Sequence, residues 1–153
     1  MKSILEHLIF GKDVTRSFRF CGREIEQNLV TYEIKVTCEK TTMKMEPIHL
    51  TASRSSEPDD DATANETSQM RSVVGSESWV VRSCRPEHLY EVSSLQQSMN
   101  KAKVSDLIEA NNVIAELLKD PKRGLTFKPG LDWNTSIMCH WRQQLWKRRR
   151  MDR

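Results

Sequence analysis

No run of eighteen apolar residues occurs in these 153 residues, so no segment is long and apolar enough to cross a bilayer as a helix. A secretory leader is missing too: Glu6 interrupts the apolar stretch after Met1, and charges recur from Lys12 onward. Together these absences predict an intracellular protein, cytoplasmic or nuclear, with no membrane partner. Cysteine is scarce, and Cys21, Cys38, Cys84 and Cys139 include no two at metal-ligand spacing. The four histidines form neither H-x₃-H nor H-E-x-x-H, so reduced, mostly buried thiols are expected rather than a zinc site. Also lacking are a glycine-rich phosphate loop, a G-x-S-x-G elbow and a Cys–His pair with an orienting partner. An autonomous enzyme of those classes therefore finds no support.

What is present is a modest core and an uneven charge. Hydrophobic residues make up 37% and charged residues 29%, enough for one domain or two small packed units. Residues 140 to 153 hold Arg142, Lys147, Arg148, Arg149, Arg150 and Arg153 against the single acid Asp152. That tail carries +5, which leaves −2 for the rest of a +3 chain. A basic arm on a slightly acidic body suits nucleic acid or a localisation signal.

Periodicity organises the remainder. Ile4, Leu5, Leu8 and Ile9 share a helical face that closes at Gly11. Phe18 and Phe20 alternate with Ser17 and Arg19, and Gly22 interrupts the strand before Arg23-Glu24-Ile25. Tyr32, Ile34, Val36 and Cys38 alternate with charged and polar residues, so residues 18 to 38 predict an antiparallel hairpin with Asn28 near its turn. Residues 51 to 62 are polar, acidic and interrupted by Pro58, which predicts a loop or linker.

Helical signals follow. Thr63 and Glu66 have capping-box spacing, and Met70, Val73, Val74, Val80 and Val81 continue a helix to about Arg82. Pro86 suits the first turn of a second helix, with Leu89, Val92, Leu95 and Met99 on one face. Ser105 is the expected N-cap of a third, whose face is Leu107, Ile108, Ala115 and Leu118 with Val113, Ile114 and Leu117 flanking; Asp120-Pro121 ends it. Residues 124 to 128 (GLTFK) make a short strand candidate. The expected fold class is α+β, an antiparallel β-hairpin followed by a small three-helix cluster.

Three segments in order carry a resemblance. Phe18 to Ile25 (FRFCGREI) has the form F-x-x-x-G-x-E-I; Met70 to Val92 (MRSVVGSESWVVRSCRPEHLYEV) is close to R-S-x-x-G-x-L-x-W…R-P-D-x-x-x-x-V; Ala110 to Phe127 gives a helix and then G-L-x-F. Together they resemble the reverse transcriptase region of copia-type retrotransposon Pol polyproteins, across most of residues 1 to 133. The resemblance implies a fragment of an RNA-directed DNA polymerase, from the end of the palm into the thumb. Residues 1–50 would be the end of the palm with a primer-grip-like hairpin, 51–62 a polar linker, and 63–133 thumb- or connection-like helices with a short strand. Phe20, Cys21, Gly22, Arg23 and Glu24 would then steady a primer's 3′ end, and a residue without Cβ suits close approach to a sugar-phosphate chain. Arg71, Gly75 and Trp79 stand four apart on one helical face, where the thumb of such enzymes meets duplex. Without the resemblance, Trp79 reads more readily as a core aromatic than as a ligand contact, Arg71 as a solvated charge and Gly22 as an ordinary bulge. Two positions depart from the pattern: Glu87 replaces an aspartate, and Glu77 replaces an apolar residue, costly if buried.

Polymerisation requires paired carboxylates holding two metal ions. The family carries them in a Y-x-D-D turn upstream of the hairpin, before the position of Met1, and Asp59 to Asp61 lie in the polar linker instead. The parent polymerase would use magnesium, whose ligands are absent here, so neither a cofactor nor polymerase activity is expected of this chain alone.

Downstream, residues 134–153 leave the family pattern where an RNase H strand is due. Synonymous codons for His140 onward, read one base out of phase, encode Ile-Gly-Asp-Ser-Ser-Phe-Gly-Asn-Glu-Glu-Glu-Trp-Ile, which resembles that strand. A frameshift accounts for the basic tail on this reading. Three functions follow in order. They are a template–primer-contacting fragment with weak affinity for RNA–DNA or DNA duplex, a small basic nucleic-acid-binding module using its C-terminal arm, and a piece that docks on a separately encoded palm domain.

Overall fold

The computed structural model describes residues 16–129. The expected N-terminal helix, Cys139 and the basic tail lie outside the described residues. Strand β1 (Ser17–Phe20) turns into β2 (Arg23–Gln27), and β2 into β3 (Ile34–Thr37), each pair antiparallel. The stretch expected to form one hairpin therefore forms two. Cys21 and Gly22 take φ of 47° and 78°. Two successive left-handed residues make the tight turn whose twist matches the flanking strands, so Gly22 reverses the chain rather than bulging one strand. The second reversal is organised by Asn28, whose Oδ1 accepts the Val30 and Thr31 amides at 2.9 and 3.1 Å.

Strand β4 (Leu125–Phe127) returns after all the helices and pairs antiparallel with β3, completing a four-stranded sheet of order β1-β2-β3-β4. The sheet is larger than the hairpin expected from alternation alone. Gly124 makes the closure possible, because a Cβ there would lie 2.1 Å from the Val36 carbonyl oxygen.

Two single helical turns, α1 (Glu39–Thr42) and α2 (Ala52–Ser55), precede the long helix α3 (Ala64–Cys84). The capping box at the start of α3 forms as expected: the Glu66 amide donates to Thr63 Oγ1, and the Thr63 amide donates to Glu66 Oε2. A 3₁₀ turn, Pro86–His88, leads into α4 (Leu89–Ser98), and α5 (Val104–Lys119) follows. Helix α3 runs two residues beyond the expected Arg82. Helix α5 begins two residues earlier than Ser105 suggested, its N-cap being Lys103, with Asp106 accepting the Lys103 amide at 2.9 Å.

The segment 51–62 is not structureless. Besides α2, its carbonyls receive the first amides of α5: Val104 donates to Asp60 and Ser105 to Pro58, both at 2.9 Å. Helix N-terminal amides have no partner within their own helix, and here the polar segment supplies one. Arg54 binds the segment to α3 through Glu66 at 3.1 and 3.2 Å, and also reaches Asp60 and the Asp61 carbonyl.

The core lies among α3, α4 and α5. Helix α5 buries Leu107, Ala110, Val113, Ile114 and Leu117, while Ala115 and Leu118 are exposed. Leu107 thus faces inward as expected, but the flanking Val113, Ile114 and Leu117 join it in place of Ala115 and Leu118, because they keep three- and four-residue steps from Val104 to Leu117. On α3 the buried stripe is Met70, Val74, Glu77, Val81 and Cys84. Glu77 falls on that stripe by spacing alone, and it is completely buried. Among the described residues no helix is long and apolar enough to cross a membrane.

Candidate nucleic-acid interface

The turn between β1 and β2 rests on the C-terminal half of α3. Arg23 reaches across, its Nη2 donating to Ser83 Oγ at 3.1 Å and its guanidinium carbon lying 5.0 Å from the centroid of the Trp79 ring. A cation at that distance over an indole face is held by the ring quadrupole. Gly22 sits against the edge of the same ring, where an added Cβ would meet Trp79 Nε1 at 3.3 Å. Thr41 Oγ1 of α1 donates to the Gly22 carbonyl at 3.3 Å and fixes the turn from the other side. Residues from two distant segments, Gly22, Arg23 and Trp79, are therefore one cluster.

Trp79 remains 40% exposed, so it is neither a core aromatic nor a free plate. One turn and two turns towards the N-terminus, Gly75 and Arg71 lie on the same face, both exposed. A Cβ on Gly75 would meet nothing within 4 Å, so its lack of a side chain leaves open space between Arg71 and Trp79. Beside this face a groove of about 530 Å³ runs along α3, lined by Thr41, Lys44, Ser72 and Ser76 among others. Its walls mix hydroxyls and Lys44 with the acid Glu46 and the apolar Met45, Ile48 and Val73.

The other expected contacts are dispersed. Phe20 and Cys21 are exposed at the turn. Glu24 points to Arg19, with an oxygen 3.4 Å from its Nε, and both carboxylate oxygens are shielded from water without a hydrogen bond. An acid in that position repels phosphate and serves the hairpin instead. Two residues not singled out from sequence belong with the cluster. Ser83 orients Arg23, and Arg82 is a second exposed cation on α3 beside Arg71. Arg82 continues the 71, 75, 79 series by three, a signal available in the spacing; Ser83 had none.

Arg85 is nearly fully buried, donating to Glu87 Oε1 at 2.6 Å and to the Asp120 carbonyl at 3.0 Å. Burial raises the Glu87 pKa, but the Arg85 hydrogen bond, a backbone hydrogen bond and the charges of Arg85 and Arg123 together outweigh it and hold the carboxyl below its ordinary value. The Arg85-Pro86-Glu87 corner ties α3 to the end of α5. Among the described residues no group of three His, Cys, Asp or Glu side chains is placed to hold a metal ion. No family model, no curated protein and no solved structure matches the chain.

Proposed function

We propose that the chain is a fragment of a retrotransposon reverse transcriptase, the template–primer-contacting region, whose own capacity is weak, salt-dependent binding of RNA–DNA or DNA duplex. The observation that supports this most is the meeting of the Gly22 turn with Trp79 beneath Arg23, on the helix face that also exposes Arg71 and Gly75. A cation, an open backbone position and an aromatic edge within one face suit the shallow groove and phosphates of a duplex more than a base-reading contact. No chemistry is assigned to the fragment.

The test is fluorescence anisotropy of the full chain with a labelled primer–template duplex over a series of salt concentrations. Affinity is expected to fall as salt rises, and to fall several-fold further in Trp79→Ala and Arg71→Ala, with circular dichroism confirming that each variant folds. Variants that bind like the parent, with binding lost on deletion of residues 140–153, would transfer the activity to the basic arm and support the small-module reading. The fragment's origin is tested by nucleotide sequence. A Y-x-D-D block in frame upstream and an RNase H strand one base out of phase after Cys139 are expected.

A second reading has its own observation. Register places Phe18, Phe20, Ile34 and Phe127 on one face of the sheet, and all four are exposed, Phe20 by 61% and Phe127 by 49%. An apolar sheet face of this kind suits docking on a separately encoded palm domain. Apolar-dye binding by the isolated chain, quenched by an added palm domain, is the expected result.

A further inference from the structure

We propose that Cys38 and Cys84 form a site of reversible disulfide modification that locks the end of β3 to the end of α3. Their sulfur atoms are 2.9 Å apart, and the thiols are 1% and 2% exposed. A disulfide bond is ~2.05 Å long, so closure needs an approach of roughly 1 Å. The two residues are 46 positions apart in sequence, yet each is the other's hydrogen-bond partner. Cys38 follows directly on β3 and Cys84 is the last residue of α3, so the bond would join the sheet to the helix that carries Trp79.

The surroundings distinguish the two thiols. The hydrogen bond from Cys84 favours the Cys38 thiolate and lowers its pKa against the opposing effects of burial and the Glu24 charge, with the positive charge of Arg23 acting in the lowering direction. The same hydrogen bond, together with burial, raises the pKa of Cys84. Either thiol can serve as nucleophile with the other as resolving thiol, and both orders give the same bridge.

With hydrogen peroxide as oxidant and Cys38 reacting first, its thiolate attacks one oxygen, an S–O bond forms, the O–O bond breaks and hydroxide leaves, taking up a proton to become water. Cys84 Sγ then attacks the Cys38 sulfenic acid. An S–S bond forms, the S–O bond breaks, and the Cys84 proton leaves with the hydroxide as a second water. Two thiols are oxidised and one peroxide is reduced. A dithiol reductant reverses the change. Burial keeps bulky reagents out, so oxidation waits on local opening and is slow beside that of the exposed Cys21.

The experiment uses the full chain carrying Cys21→Ser and Cys139→Ser, treated with hydrogen peroxide under native conditions and digested without reduction. Mass spectrometry is expected to find the Cys38 and Cys84 peptides joined with the loss of two hydrogens. The oxidised chain should melt roughly 10 °C above the reduced one, since a bridge across so long a loop removes much unfolded-state entropy. Reduction should restore the original midpoint. Comparing two redox states of one chain avoids dependence on whether Cys38→Ala or Cys84→Ala folds. A bridge that forms only in denaturant, or peroxide converting either thiol to sulfinic acid with no bridge, would overturn the proposal.

Discussion

Gly22 lies against the indole edge of Trp79, so close that a methyl group on Gly22 would stand 3.3 Å from Trp79 Nε1, and its φ of +78° is one that residues with a Cβ rarely adopt. The turn is therefore constrained by its own backbone and by the ring beneath it. Gly22→Ala is expected to destabilise the chain by about 1–2 kcal/mol, from the left-handed conformation and the displaced ring together. Urea denaturation of the two proteins measures it. Equal midpoints would mean that the turn does not rest on Trp79.

Glu77 gives the chain a pH dependence. Burial, with a smaller contribution from the charge of Glu109, pushes its pKa from 4.5 up to about 8. Neither carboxylate oxygen has a hydrogen-bond partner. Because the folded pKa exceeds the unfolded one, the folded chain holds an extra proton between those values, and stability falls as pH rises through that window. Glu77→Leu is expected to raise stability at about pH 8 by roughly 2–4 kcal/mol and to flatten the decline from about pH 5. Denaturation curves at the two pH values decide it; an unchanged slope would show that Glu77 is hydrated.

At the other end of α3 the sign reverses. Hydrogen bonds from Arg54 first, then Thr63, lower the Glu66 pKa to about 2. Stability from this group is fully present above 4.5 and is lost as pH falls towards 2. Arg54→Ala should lower the melting temperature at neutral pH, and change it little in strong acid, where the carboxyl is protonated in both proteins. Thermal melts at neutral and acidic pH measure the difference, and a cost independent of pH would assign Arg54 a packing role.

Phe20 is exposed enough that its loss should leave folding almost unchanged. Phe20→Ser is expected to shift stability by no more than about 0.5 kcal/mol while lowering apolar-dye binding and self-association. Light scattering across a concentration series, beside a melting curve, separates the two effects. A large loss of stability would show that this face is covered in solution.

Local rules made much of the molecule legible. The Thr63–Glu66 cap, the Asn28 turn and the Asp120-Pro121 stop each act within a few residues, and each stands where the sequence places it; the alternation of β3 does not hold, since Tyr32 and Ile34 are exposed and Thr37 is buried. The helix-face arithmetic that grouped Arg71, Gly75 and Trp79 is of the same kind, and so was the warning attached to Glu77. On α5, by contrast, Leu107 turns inward as expected but Val113, Ile114 and Leu117 do so in place of Ala115 and Leu118, because the apolar residues are numerous enough to permit two stripes and only packing against α3 and α4 selects one.

Sequence by itself thus determined the three main helices, the cap at Thr63 and their order, since hydrogen-bond partners and side-chain periods within an element lie close along the chain. Tertiary structure alone decided that β4 would complete the sheet beside β3, that Arg23 would lie over Trp79 and that Cys38 would meet Cys84. Those pairings join residues tens of positions apart, where no period or spacing connects them, and they form because the packing of α3, α4 and α5 fixes where the sheet can lie.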